Sequence, residues 1–147
     1  MGKKRKKKDY YDAAARMIKE NMLDEIIASH GRTHVPENKL MLYISISGSK
    51  KNGFVFDPEK GVRIGRDAQK NEICIRDKHV SAVHCGISHS NGETFVQDFH
   101  SSNGTYIKRG IAKQRVSEAA ILRSGDQLLI GDTKLKIELF EFDMMDL

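Results

Sequence analysis

The sequence lacks any run of eighteen apolar residues, the minimum for a helix that crosses a bilayer. Its first residues are not apolar either, because residues 3–8 are all lysine or arginine, whereas a secretory signal needs an apolar core. These two absences exclude a spanning helix and argue against a secretory signal. We therefore expect an intracellular protein, with the cytoplasm as its location.

Cysteine is scarce, since the 147 residues contain only Cys74 and Cys85. Both lie in strand-like segments and not in a closely spaced metal-type pair, so we expect reduced thiols and no disulfide framework. Of the six histidines, only His30 and His34 are close, and Gly31 would interrupt a helix that aligned them. The sequence predicts no metal site.

Motifs for catalysis are also missing. Ser81 and His84 lie three residues apart, but neither a Gly-x-Ser-x-Gly elbow nor a glycine-rich phosphate loop followed by lysine and serine is present. No carboxylates are paired at useful positions. We predict that the protein is not an enzyme, has no cofactor and takes no small-molecule substrate.

Positive charge is concentrated at the amino terminus. The formal net charge is +5, and residues 3–8 carry six positive charges, which leaves −1 for the remainder. Residues 1–8 are therefore predicted to form a disordered basic arm attached to a nearly neutral folded part. The arm is either a solubilising tail or a weak anchor to an anionic surface, nucleic acid or acidic lipid, through residues 3–8. In the second case the protein would be an adaptor whose folded part makes a protein contact that does not depend on phosphate.

Residues 9–39 are predicted to form an amphipathic helix and a connector. Ala14, Ile18, Met22 and Ile26 recur every four residues between charged positions, and Gly31 would end the helix. The apolar face could pack on the chain's own domain, or it could be offered to a partner or a second copy. The sequence leaves both alternatives open.

Residues 40–142 have the pattern of short strands. The closely spaced candidates are 40–46, 54–57, 62–65, 72–75, 85–89, 95–98, 105–108, 120–122, 127–130 and 134–140. Turn-forming pairs such as Asn52-Gly53, Asn91-Gly92 and Asn103-Gly104 separate them. The pattern predicts an all-β fold, an antiparallel sandwich of about ten to eleven strands preceded by the basic arm and one α-helix.

The candidate functional residues lie in five separated motifs. They are Gly65-Arg66, Asn71-x-Ile73-x-Ile75, Val80-Ser81-x-x-His84, the segment from Asp98 to Ile107 that contains Ser101-Ser102-Asn103-Gly104-Thr105, and Leu122-x-x-Gly125-Asp126 followed by Ile130-Gly131. An arginine that follows a strand, with hydroxyl and amide side chains on neighbouring loops, is the donor set that a phosphate with nearly two negative charges requires.

In order and spacing, residues 40–140 resemble the forkhead-associated (FHA) family. The resemblance implies a FHA/SMAD-like sandwich that binds a phosphothreonine-containing partner protein, with a Ser/Thr kinase acting upstream. It implies that Arg66 and Ser81 contact the phosphate and that Ser102 and Asn103 hold the phosphopeptide.

The same resemblance gives supporting and specificity roles to other residues. It makes Gly65, His84 and Gly104 structural supports, and it places His79 and Ala82 at positions that affect ligand specificity. The family commonly has arginine or asparagine where this chain has Ala82, so one ligand contact is expected to be missing.

Overall fold

The computed structural model describes residues 2–31, 33–47 and 53–147, with side chains from residue 9 onward. Its first elements are helix α1 (Gly2–Met17), a π-helical turn (Ile18–Met22) and helix α2 (Leu23–His30). The expected helix is therefore present and begins earlier than predicted. The backbone of residues 2–8 is helical in the structure, where the sequence predicts a disordered arm. Lysine and arginine are good helix formers, and extending an existing helix costs far less than nucleating one.

The helical segment packs on its own domain. Ala14, Ile18 and Met22 are buried against Met41 and Phe142, which settles the alternative that the sequence left open. Burial of the two larger side chains, Ile18 and Met22, contributes roughly 1.5–3 kcal/mol each to stability. Tyr10 extends the contact by stacking on Tyr43 with ring centroids 4.6 Å apart.

The rest of the described chain forms two packed sheets. The strands are β1 (Asn38–Ile46), β2 (Gly53–Phe56), β3 (Val62–Gly65), β4 (Ile73–Cys74), β5 (Cys85–Ser90), β6 (Glu93–Asp98), β7 (Thr105–Arg109), β8 (Ala112–Arg115), β9 (Ala119–Ile121), β10 (Gln127–Ile130) and β11 (Thr133–Asp143). One sheet has the order β2-β1-β11-β10-β7-β8 and the other β4-β3-β5-β6-β9. The predicted all-β sandwich is confirmed.

Side chains alternate between the two faces of each strand, and those that point inward form the core between the sheets. Leu42 and Ile44 of β1 point inward beside Leu135 and Ile137 of β11, and all four are at most 1% exposed. β1 and β11 pair along their length, from Asn38 opposite Asp143 to Ile46 opposite Leu135. This ladder, with nine residue pairs, is the longest pairing among the described strands.

Strand β8 was not predicted, and the reason is visible in its surroundings. All four of its residues, 112–115, are exposed, so no alternation of apolar and polar side chains marks it. It is an edge strand held by pairing with β7. The turn expected at Asn52-Gly53 falls on residues 48–52, outside the described residues, apart from Gly53 at the start of β2.

The two ends of the sandwich carry different sets of loops. We call the rim the end formed by loops 66–72, 76–84 and 99–104 and the turn 131–132. The far end holds the turns 57–61, 91–92, 110–111 and 122–126. In the part of the chain that the structure describes, no helix is both long and apolar enough to span a membrane.

Candidate functional site

Arg66 follows the last residue of β3, as the sequence predicts, and its backbone is fixed at the rim. The Arg66 N–H donates to the carbonyl of Ser81 at 2.9 Å, and the Asp67 N–H donates to the carbonyl of Ala82 at 3.1 Å. Gly65 permits this close approach, because a Cβ at that position would overlap the Ala82 carbonyl. The β3 end and the Ser81 loop therefore form one rigid unit.

The Arg66 side chain is exposed at this unit. Among the described residues, no carboxylate lies within ion-pair distance of its guanidinium, and no acceptor is hydrogen-bonded to it. Its fork of N–H donors is therefore available to a ligand.

His84 connects three parts of the rim although it is fully buried. Its Nδ1 accepts a hydrogen bond from the Ser81 N–H at 3.0 Å, and its Nε2 lies 2.9 Å from the carbonyl oxygen of Gly104. Because Nδ1 accepts from an N–H, the ring proton belongs on Nε2, which donates to Gly104. The His84 N–H also donates to Ile64 in β3 at 2.9 Å. The imidazole thus joins the Ser81 loop to the Gly104 turn, and the backbone N–H of the same residue ties it to β3.

Ser81 and Ser102 meet across the rim. The Ser102 N–H donates to Ser81 Oγ at 3.1 Å, which leaves the Ser81 hydroxyl hydrogen free to donate outward. Ser102 is itself exposed. This bond joins two rim loops whose residues are 21 positions apart in sequence.

Asn103 lies at the same rim, with one of its amide hydrogens already engaged. Its Nδ2 donates to the carbonyl of His79 at 2.9 Å, which ties the loop 99–104 to the loop 76–84. The amide oxygen and the second amide hydrogen stay available, the pair of groups that a peptide backbone needs. Gly104 follows with φ +84°, the left-handed conformation that makes the turn, so a glycine is required there.

Asp98 organises the loop that carries Ser102 and Asn103. Its carboxylate accepts from the Ser101 hydroxyl at 2.6 Å and from the Thr105 hydroxyl at 2.7 Å. Burial alone would raise the pKa of Asp98, but these hydrogen bonds outweigh it and hold the pKa below its usual value. The carboxylate is therefore charged at neutral pH and keeps the loop in one conformation.

Asp77 is a support that the sequence analysis missed. Its carboxylate accepts from the His79 N–H at 2.8 Å, and across the rim it accepts from the Asp132 N–H at 2.8 Å and the Thr133 hydroxyl at 3.0 Å. Hydrogen bonding, first from the His79 N–H, lowers the pKa of Asp77. The bond to the residue two positions on is a common aspartate turn and was predictable. The contacts with Asp132 and Thr133, which lie 55 and 56 residues further along the chain, were not predictable.

The two residues expected to affect specificity lie at the rim as well. His79 is about half exposed, with Nε2 at 3.7 Å from a carboxylate oxygen of Asp132. Ala82 is exposed, and its carbonyl is held by Asn71 Nδ2 at 2.7 Å in addition to Asp67. The structure thus brings the residues that the sequence analysis selected to one end of the sandwich.

The fold and this rim define a class of protein. Residues 62–131 match the family model for the FHA domain. The chain therefore contains a forkhead-associated domain.

Similar proteins span bacteria and plants. The chain is 32% identical to an FHA domain-containing protein of Arabidopsis thaliana over 52% of its own length and 19% of that protein. It is also 32% identical to FhaB of Mycobacterium tuberculosis over 54% of its length and 48% of FhaB. The chain thus spans about half of FhaB and about a fifth of the plant protein.

Among solved structures, EmbR of Mycobacterium tuberculosis, in complex with a low-affinity phosphopeptide, is similar. The TM-score is 0.59 and the identity 26%, over 67% of this chain and 24% of EmbR.

Proposed function

We propose that this chain binds a phosphothreonine-containing segment of a partner protein at the rim, and that a Ser/Thr kinase acts upstream by modifying that partner. The observation that carries the proposal is the exposed guanidinium of Arg66, which has no carboxylate partner among the described residues and lies on the backbone unit that carries Ser81. An arginine without a carboxylate, at the same rim as serine hydroxyl donors, matches a doubly charged phosphate.

The donors are arranged before any ligand arrives. The backbone of Arg66 is held by its hydrogen bond to the Ser81 carbonyl, and the Ser81 loop is held by His84. The loop that carries Ser102 and Asn103 is held by Asp98. Since the backbone positions are already fixed, little loop ordering remains to oppose binding. In this proposal Arg66 and Ser81 contact the phosphate, while Ser102 and Asn103 hold the peptide on either side of it.

The comparisons support a phosphorylated ligand. EmbR, to which the chain is 26% identical over the compared region, was solved with a phosphopeptide bound. Gly65, His84 and Gly104 act in our proposal as the supports of the site, and His79 and Ala82 face the residues that flank the phosphothreonine.

A phosphopeptide library tests the proposal. The purified chain is screened against oriented phosphothreonine peptides, with the same peptides carrying phosphoserine or no phosphate as controls. We expect selection of phosphothreonine peptides and no measurable binding of the unphosphorylated set. Equal binding of phosphorylated and unphosphorylated peptides would refute a phosphate-dependent site.

A further inference from the structure

The outer face of the six-stranded sheet is divided into two unlike halves. The helical segment covers the half formed by β1, β2 and β11, where Met41 and Phe142 lie under it. The other half, on β8, β7, β10 and the first part of β11, lies outside that contact. Its side chains point away from the core, since they alternate with buried residues such as Ile107, Leu128 and Leu135.

This second half carries two cross-strand rows, which we call the basic face. The row nearer the rim runs across four strands through Arg115, Tyr106, Leu129 and Lys134. The next row runs through Lys113, Lys108, Gln127 and Lys136. Five of the eight side chains are cations, although the chain without residues 3–8 has a net charge of −1. The folded part is nearly neutral in total, but the fold gathers positive charge on this face.

The cations of the basic face are poorly neutralised. Among the described residues only Lys136 has a carboxylate within ion-pair distance, that of Glu138 at 3.7 Å. Lys108 and Lys113 are direct cross-strand partners, and like charges opposite each other destabilise a sheet. An anionic ligand bound on this face would relieve this repulsion.

The basic face is continuous with the rim. The Arg115 guanidinium lies beside Gly104, since a Cβ on that glycine would be 3.1 Å from Arg115 Nε. A groove of about 350 Å³ runs between the two regions and is lined by Asn103, Tyr106, Lys113 and Lys134, among others. A chain held at Asn103 could therefore continue along the groove onto the face.

Tyr106, at the centre of the basic face, bears on which kind of polyanion the face could bind. Lys113 Nζ lies over the Tyr106 ring at 4.8 Å from its centroid, and the Arg115 guanidinium lies over it at 5.9 Å. Single-stranded nucleic acid is bound by stacking bases on open aromatic faces. Here the cations occupy the position of a base, which favours an anion without rings.

We propose that the basic face binds an acidic segment of the same partner, carboxylates or further phosphates, a few residues from the phosphothreonine. This inference rests on the proposed function at the rim. It specifies the ligand of the rim as a phosphothreonine followed or preceded by an acidic tract. Four strands at about 4.8 Å spacing span about 14 Å, which four or five extended residues cover.

Paired peptides and paired variants test the inference. The best phosphothreonine peptide from the library is extended, on either side in separate versions, by six glutamates or by six glutamines. When the extension lies on one particular side of the phosphothreonine, we expect the glutamate version to bind about fivefold tighter than the glutamine version, which is the effect of two exposed ion pairs. In the variant K113Q/K134Q this ratio falls to about one, while the glutamine peptide binds as before.

The control variant R16Q/K19Q removes the same charge from exposed helical positions and keeps the fivefold ratio. A ratio of one in the parent protein on both sides, or a ratio that K113Q/K134Q leaves unchanged, would overturn the inference. So would binding of a single-stranded oligonucleotide or an anionic vesicle that K113Q/K134Q abolishes while glutamate and glutamine peptides bind equally. If neither glutamine peptide binds in a phosphate-dependent way, the rim proposal itself fails, which is a separate outcome.

Discussion

Two arginines at opposite ends of the sandwich are used differently. Arg109 closes β7 at the far end, where its Nε and Nη2 donate to the Asp126 carboxylate at 2.8 and 2.7 Å. Asp126 is 1% exposed, and although burial alone would raise its pKa, the hydrogen bond from Arg109 helps to hold that pKa below its usual value. Arg66 directly follows β3 at the rim and is exposed, and no carboxylate among the described residues pairs with it. The same residue type is thus part of the structure at one end and available to a ligand at the other.

The contrast extends to the groups around each arginine. At the far end Lys39 is paired with the buried Asp57 at 2.8 Å, so charge there is balanced within the chain. At the rim the buried and partly buried polar groups, His84 and Asp98, bond to the backbone and hydroxyls of the loops and leave the outward donors free. Removing a support should therefore change stability, and removing an outward donor should change binding.

The largest effect on stability is expected from His84→Ala. The change leaves a cavity and removes the partners of the Ser81 N–H and the Gly104 carbonyl, so the free energy of unfolding should fall by about 3 kcal/mol. Denaturant unfolding measures it. His79→Ala is a matched control because its ring is half exposed, and it should change stability by less than about 0.5 kcal/mol. Equal losses in the two variants would show that His84 does not brace the rim.

Asn103→Ala should weaken phosphopeptide binding by roughly tenfold or more, the value of one or two hydrogen bonds to the ligand backbone. The variant also frees the His79 carbonyl, so the loop 76–84 becomes less ordered. Titration calorimetry with the best library peptide measures the loss. Asn21→Ala, at an exposed helical position, serves as the control and should bind like the parent. Unchanged affinity in Asn103→Ala would remove this residue from the site.

Ala82→Arg should tighten binding by up to about tenfold if the small side chain has deleted a ligand contact, since one charge-assisted hydrogen bond is gained. Ala82 is exposed and its carbonyl stays bonded to Asn71 and Asp67, so the fold should tolerate the change. The same titration measures the gain. Weaker or equal binding would show that position 82 does not face the ligand.

The smallest effect is expected from deleting residues 1–8. Phosphopeptide affinity should change by less than about twofold, because none of the rim contacts described above involves these residues. Co-sedimentation with anionic vesicles and a gel shift with nucleic acid examine the alternative role of residues 3–8 as an anchor. Loss of phosphopeptide binding in the truncated chain would mean that the basic residues belong to the recognition site.

Much of the fold was predictable from local patterns. Alternation in 40–46 and 134–140 marks strands with one buried face, and the four-residue spacing of Ala14, Ile18 and Met22 marks the helix and its packed side. β8 escaped prediction because an exposed edge strand carries no such alternation. For residues 2–8 two local properties point in opposite directions, since like charge favours a solvated arm and the helix propensity of lysine and arginine favours the helical backbone of the structure.

The candidate site was predictable in its residue types and order but not in the hydrogen bonds that support it. The motifs identified Arg66, Ser81 and Asn103 because donors for phosphate belong on loops. The bonds from Asp77 to Asp132 and from Ser102 to Ser81 join loops distant in sequence, and no local pattern encodes them. The basic face was hidden for a similar reason, since cross-strand register places Lys113 and Lys134 together only after folding.

The most direct test of the account measures Arg66→Ala and Arg109→Ala side by side, for both phosphopeptide affinity and denaturant unfolding. Arg66→Ala should weaken binding by more than about thirtyfold, through the loss of at least two charge-assisted hydrogen bonds, and leave stability unchanged. Arg109→Ala should lower the free energy of unfolding, because it leaves the buried Asp126 carboxylate without its cation, and keep the affinity of the folded protein. Parent-like binding by Arg66→Ala would contradict the central claim that this free arginine holds the phosphate.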